Sequence, residues 1–157
     1  MEDSAPKEDT PRSTYEFQAG SMSVQDALLV LAIRLVGGDI RRNPSARQHI
    51  MALARATPFF LMEDYRQTQD RLNRFINWAG TTTMDDLFAH ALDQLQGVYR
   101  REALEWSAAN AVIQQPMDEK VAMLHHIGEA LGFSASEVKE SVAQAQRRSA
   151  GNVSGDD

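Results

Sequence analysis

Five side chains in this sequence stand at spacings that could hold a cation or move a proton. His125 and Glu129 are four residues apart, His126 and Glu129 three apart, and Asp86 and His90 four apart. On a helix those separations put an imidazole and a carboxylate on one face, where both could reach one metal ion. Di-iron helical bundles use such pairs, but in the order Glu-x-x-His, on two helices, with further glutamates. Here the order is reversed and no second copy exists, so a solvated histidine pair is the expected state, and a helical-bundle enzyme built on His125, His126 and Glu129 ranks third among the functional readings. His49 reads as a helix-surface or partly buried residue. The chain has no cysteine, which removes disulfides, thiolate ligands and cysteine nucleophiles together. It contains no nucleophile elbow, phosphate-binding loop, dinucleotide glycine fingerprint or zincin motif. Its serines and threonines fall mainly at expected helix caps.

Those candidates ride on helices that the spacing of apolar residues defines. The 157 residues, 43% hydrophobic and 24% charged, suit one globular domain. Ser23 caps a first helix carrying Leu28, Leu31, Ile33 and Leu35 and stopping at Gly37-Gly38; apolar nearly all round, it should be the central one. Asn43 with Pro44 opens a second, with Ile50, Leu53 and Ala54 on its buried face and Pro58 at its end. A third carries Leu72, Phe75, Ile76 and Trp78 to a stop at Gly80. A fourth runs from a cap at Thr83 through Leu87, Phe88, Ala91 and Leu95 to Gly97. The fifth, about residues 100–113, buries Leu104, Ala108, Ala111 and Val112, with Trp106 at its edge. The sixth ends at Gly132, and Ser134 with Glu137 opens a seventh at capping-box spacing. Their seam is Val121, Leu124, Ile127, Gly128 and Leu131. No strand pattern competes, so the fold class is all-α: a compact bundle of about seven helices over residues 23–148. Residues 1–22 and 149–157 read as disordered tails, with Tyr15 and Phe17 the docking points of the first.

Charge is divided along the chain. From Arg34 to Arg74 eight arginines face four acids, whereas from Asp85 to Glu140 ten acids face four bases. Such polarity steers an anionic partner to the first half or joins the halves head to tail. Arg41, Arg42 and Arg47, near the start of the second helix, are the expected contact for an acidic protein segment or an anionic membrane face. An acidic chain whose basic patch lacks interleaved aromatics does not suit nucleic acid. The charged N-terminus and the lack of a long apolar stretch suggest a cytoplasmic protein.

A short helix over 84–96, then Ala108-Ala-Asn-Ala, Asp118-Glu-Lys, Ile127-Gly-Glu-Ala-Leu-Gly-Phe and a Ser-x-x-Glu helix resemble the TerB-like domain, named for a bacterial tellurite-resistance protein and also found fused to co-chaperones. Leu31 to Gly38 followed by Ser45 to Ala56 repeats the theme, so the resemblance spans about residues 24–142. It implies a non-enzymatic scaffold or interaction module in a stress-linked or membrane-peripheral complex, with a protein partner. The family's repeats carry an Asp-Gly loop and a later Glu, credited with binding divalent cations. Gly37 and Val112-Ile113-Gln114-Gln115 stand where those acids belong, which leaves Asp39, Asp118 and Glu119 as a residual metal site. No cofactor is therefore expected; the alternative reading is a stress protein that binds calcium, magnesium or zinc.

Overall fold

The computed structural model describes residues 22–37, 40–81 and 84–155. Among them the chain forms seven α-helices: α1 (Val24–Val36), α2 (Pro44–Arg55), α3 (Tyr65–Thr81), α4 (Met84–Gln94), α5 (Tyr99–Ile113), α6 (Met117–Leu131) and α7 (Ala135–Gly155). Short 3-10 turns, Ile40–Arg42 and Pro58–Phe60, lie before and after α2.

Helix α1 is the axis of the bundle. Ser23 accepts from the Asp26 amide at 3.1 Å while the Asp26 carboxylate accepts from the Ser23 amide at 3.0 Å, so two otherwise orphaned donors are satisfied. Every residue from Asp26 to Ile33 is buried, as are Leu35 and Val36. Covering so apolar a rod takes partners on all sides: α4 and α5 make its largest contacts, with α3 and α6 completing the cover. It stops at Gly37, whose φ of 62° lies in the left-handed region. Lys120 of α6 then donates to the Val36 carbonyl at 2.7 Å, placing a cation at the negative end of the helix. Burying a leucine such as Leu31 contributes about 1.5–3 kcal/mol.

Helix α2 starts as its residues predict, with Asn43 accepting from the Ala46 amide at 3.0 Å and Pro44 in the first turn. Small residues on α5 (Ala103, Ser107, Ala108 and Ala111) are buried and let it lie close to α1 and α6. Trp106 corrects the sequence reading: it is only 4% exposed, not at an edge, because its indole N–H donates to the Leu28 carbonyl of α1 at 2.6 Å.

The α6–α7 hairpin follows its sequence signals closely. Gly132 takes φ 94°, and the Phe133 amide reaches back to the Gly128 carbonyl at 2.9 Å, a Schellman stop. Ser134 and Glu137 exchange side-chain-to-amide bonds at 2.8 and 3.1 Å. Leu124, Ile127, Gly128 and Leu131 are buried along the seam, with Val121 half-buried. A Cβ on Gly128 would stand 2.4 Å from a Val138 methyl, so the bare backbone sets how near α7 can lie.

Three boundaries differ from expectation. Met22, placed in the N-terminal tail, is 2% exposed and belongs to the core. Helix α3 continues through Gly80 to Thr81, a tolerable position for glycine at a helix end. Helix α7 extends to Gly155, into the segment read as a C-terminal tail. The cap expected at Thr83 and the docking residues Tyr15 and Phe17 lie outside the described residues.

Candidate docking cleft

The residues singled out for chemistry stay dispersed. His125 is half-buried on α6 and His126 and Glu129 are exposed there. No group of three His, Asp or Glu among the described residues is arranged to hold a metal ion. Asp118 and Glu119 are exposed in the first turn of α6, where a carboxylate complements the helix dipole. The Lys120–Val36 bond brings that turn to the end of α1; Asp39 lies outside the described residues. Arg41 and Arg42 are exposed in the 3-10 turn and each already makes an interaction; Arg47, in the first turn of α2, is half-buried.

A different feature emerges at the end of the molecule where α1 begins. Arg71 of α3 bridges the Asp26 carboxylate of α1 and the Glu63 carboxylate that precedes α3. The Thr68 hydroxyl donates to Glu63 at 2.8 Å. Burial opposes the Arg71 charge, but hydrogen bonds to the two carboxylates outweigh it and hold its pKa above the ordinary arginine value. An arginine so held is a structural tie. It fastens the α2–α3 connection to the start of α1, and Gln25 adds a bond to the Phe59 carbonyl at 3.0 Å.

That fastened connection forms one wall of an open cleft of about 400 Å³. Pro58 and Phe59 line this wall, Glu102, Glu105, Trp106 and Ala109 line α5 opposite, and Arg148 of α7 stands at the rim. Trp106 has committed its N–H to Leu28, so what it offers the cleft is carbon. Phe59 meets the Tyr99 ring edge-on, with centroids 5.8 Å apart, and so joins the α2–α3 connection to the α4–α5 corner. The large apolar side chains left exposed gather on these two segments: Leu61 (64%), Met62 (94%) and Tyr65 on the first, Val98 (79%) and Tyr99 on the second. Leu61 and Tyr65 border a second hollow with Met51 and Ala54 of α2, and Tyr99 reaches the cleft through Phe59. Scattered apolar residues on a surface are ordinary, whereas a concentration on two neighbouring segments marks an interaction site.

The sequence held half of this signal. Phe59-Phe-Leu-Met in a connection between polar helices is a conspicuous apolar run, and an aspartate inside the apolar α1 calls for a buried cation. That Val98 and Tyr99 lie beside the run depends on how α5 crosses α1, which local spacing does not encode. Comparison with protein-family models, characterised proteins and solved structures finds no match to this chain.

Proposed function

We propose that this protein is a non-enzymatic helical interaction module, TerB-like in plan, that recruits a protein partner. One observation carries the reading: Leu61, Met62, Val98 and Tyr99 stay exposed on two segments that the Phe59–Tyr99 contact joins, the first of them tied down by the Arg71 bridges. Keeping large apolar side chains in water costs solubility, and a rigid mount lets a partner bury them without paying to order a loop. The charged N-terminal sequence supports a cytoplasmic setting, and a stress-linked or membrane-peripheral complex is the context the family resemblance implies. No helix among the described residues is long and apolar enough to cross a membrane.

The test compares wild type with a Met62→Glu/Val98→Glu variant as bait in extract of the source cells. Both positions are solvated, so the variant should melt with the wild type. A discrete protein recovered in near-equal amount by wild type and lost by the variant supports the module reading. The same proteins recovered by both baits, or none by either, would refute it.

A further inference from the structure

We infer that the cleft and the stripe of α5 beside it form a groove for a basic amphipathic helix of a partner protein. This rests on the interaction reading above and names its partner class. Val98, Glu102, Glu105 and Ala109 follow one another at separations of four, three and four residues, and therefore share one face of α5. At 1.5 Å per residue the stripe is about 16 Å long, which matches roughly three turns of a bound helix. Its apolar floor is the Trp106 ring and the Ala109 methyl, and Phe59, Tyr99 and Val98 form its apolar end.

Helix, and not extended strand, follows from the backbone. A peptide that binds as a strand gains affinity by pairing with a sheet edge, and the described residues contain no strand. Around the groove the main chain is helical and bonds to itself, so specificity must come from side chains, the mode in which an amphipathic helix lies in a groove.

The charge of the partner follows from where this chain keeps its cations. Glu102 and Glu105 stand one turn apart at the groove, and no ion pair joins either to another described residue. The neighbouring Arg100 and Arg101 do not neutralise them. Both guanidinium groups lie over the Phe133 ring, at 4.8 and 5.0 Å from its centroid, and Arg101 faces Glu137 at 4.0 Å. The α5 wall is thus left acidic, and lysine or arginine on the flank of an apolar stripe would complete it. Arg148 on the α7 wall supplies the opposite sign, so one acidic residue on the far flank would fix the direction of the bound helix.

The probes are two fluorescein-labelled 16-residue helical peptides with leucine and phenylalanine at i, i+4, i+7 and i+11. One carries lysine on the flank, the other glutamate. Binding to the full chain is read by anisotropy for wild type, Glu102→Lys/Glu105→Lys and Val98→Glu, each checked by circular dichroism. Wild type should prefer the lysine peptide by about tenfold, two exposed ion pairs gained against two repulsions. The double lysine variant should reverse the preference, and Val98→Glu should weaken both peptides. Equal binding of both peptides, an unreversed preference, or no saturable binding overturns the inference. So does a wild-type dimer in sedimentation that Val98→Glu dissolves, since the groove would then hold a second copy. A partner still recovered by the bait experiment alongside failed peptide binding refutes the basic-helix class alone; failure of both removes the module reading too.

Discussion

Replacing Gly128 with alanine tests the close approach of α6 and α7. Two effects oppose each other. Alanine is favoured over glycine inside a helix by about 0.5–1 kcal/mol, because glycine loses more backbone freedom on folding. Against that, the new methyl would stand 2.4 Å from the Val138 Cγ2, well inside contact distance. Val138 is 1% exposed and β-branched, so its methyl has no open space and no cheap rotamer to turn into. Overpacking of this kind costs about 1–3 kcal/mol. The clash should win, leaving Gly128→Ala less stable by about 0.5–2 kcal/mol, a fall in Tm of roughly 1–8 °C for a domain of this size. Calorimetry or urea titration reads it. The decisive measurement adds Val138→Ala, which by itself removes two buried methyls and destabilises. Combined with Gly128→Ala it makes room for the new methyl, so the double variant should be more stable than the two single losses add up to. Additive losses, or a Gly128→Ala variant as stable as wild type, would show that α6 and α7 do not meet through Gly128 and Val138.

Leu31→Ala and Leu124→Ala, at fully buried sites on α1 and α6, should each cost about 2–5 kcal/mol; an unchanged urea midpoint for both would mean the wrong faces are inside. Glu137 is held below the usual carboxylate range first by the Ser134 amide, then by the Ser134 hydroxyl and by Arg101 and Arg100, against a smaller opposing effect of desolvation. A depressed folded pKa stabilises the fold above the ordinary glutamate value, and the contribution disappears as pH falls through the folded one. The Tm difference between wild type and Glu137→Gln should therefore be present at pH 7 and shrink as the pH falls below the ordinary glutamate range, and a difference constant with pH refutes the assignment. Chelation with EDTA should leave Tm unchanged, since the apolar helix faces supply the core without a metal; a drop of several degrees restored by calcium, magnesium or zinc would favour a metal site around Asp118 and Glu119. Replacing Arg41, Arg42 and Arg47 with glutamine should leave the fold intact, and retained partner recovery would confine recognition to the α5 groove.

Local chemistry is where the sequence was most legible. Ser23, Asn43-Pro44, Gly132 and the Ser134–Glu137 pair act on backbone groups within a few residues, so their spacing is sufficient to place helix ends. The faces of α1 and α6 were legible for a related reason, since a period of 3.6 reports burial whatever the covering partner. Trp106 was not, because its place depends on a carbonyl 78 residues away. The Arg71 bridges and the groove escaped for the same reason: each is made by segments whose meeting is set by helix crossing. The histidines show the converse: i, i+4 spacing puts two side chains on one face, yet no group of three His, Asp or Glu among the described residues is arranged to hold a metal ion.

The central position of α1 also has a consequence for synthesis. Among the described helices it is the first made and the most apolar, yet α5 is complete only after about 77 more residues have been added. At elongation rates of about 5–20 residues per second, that leaves the apolar rod incompletely covered for roughly 4–15 seconds. Its early neighbour α2 covers little of it. The nascent chain should therefore be a client for cotranslational chaperones until α4, α5 and α6 emerge, and swapping codons between Asp85 and Leu131 for slow ones should raise aggregation without altering a single residue of the finished protein.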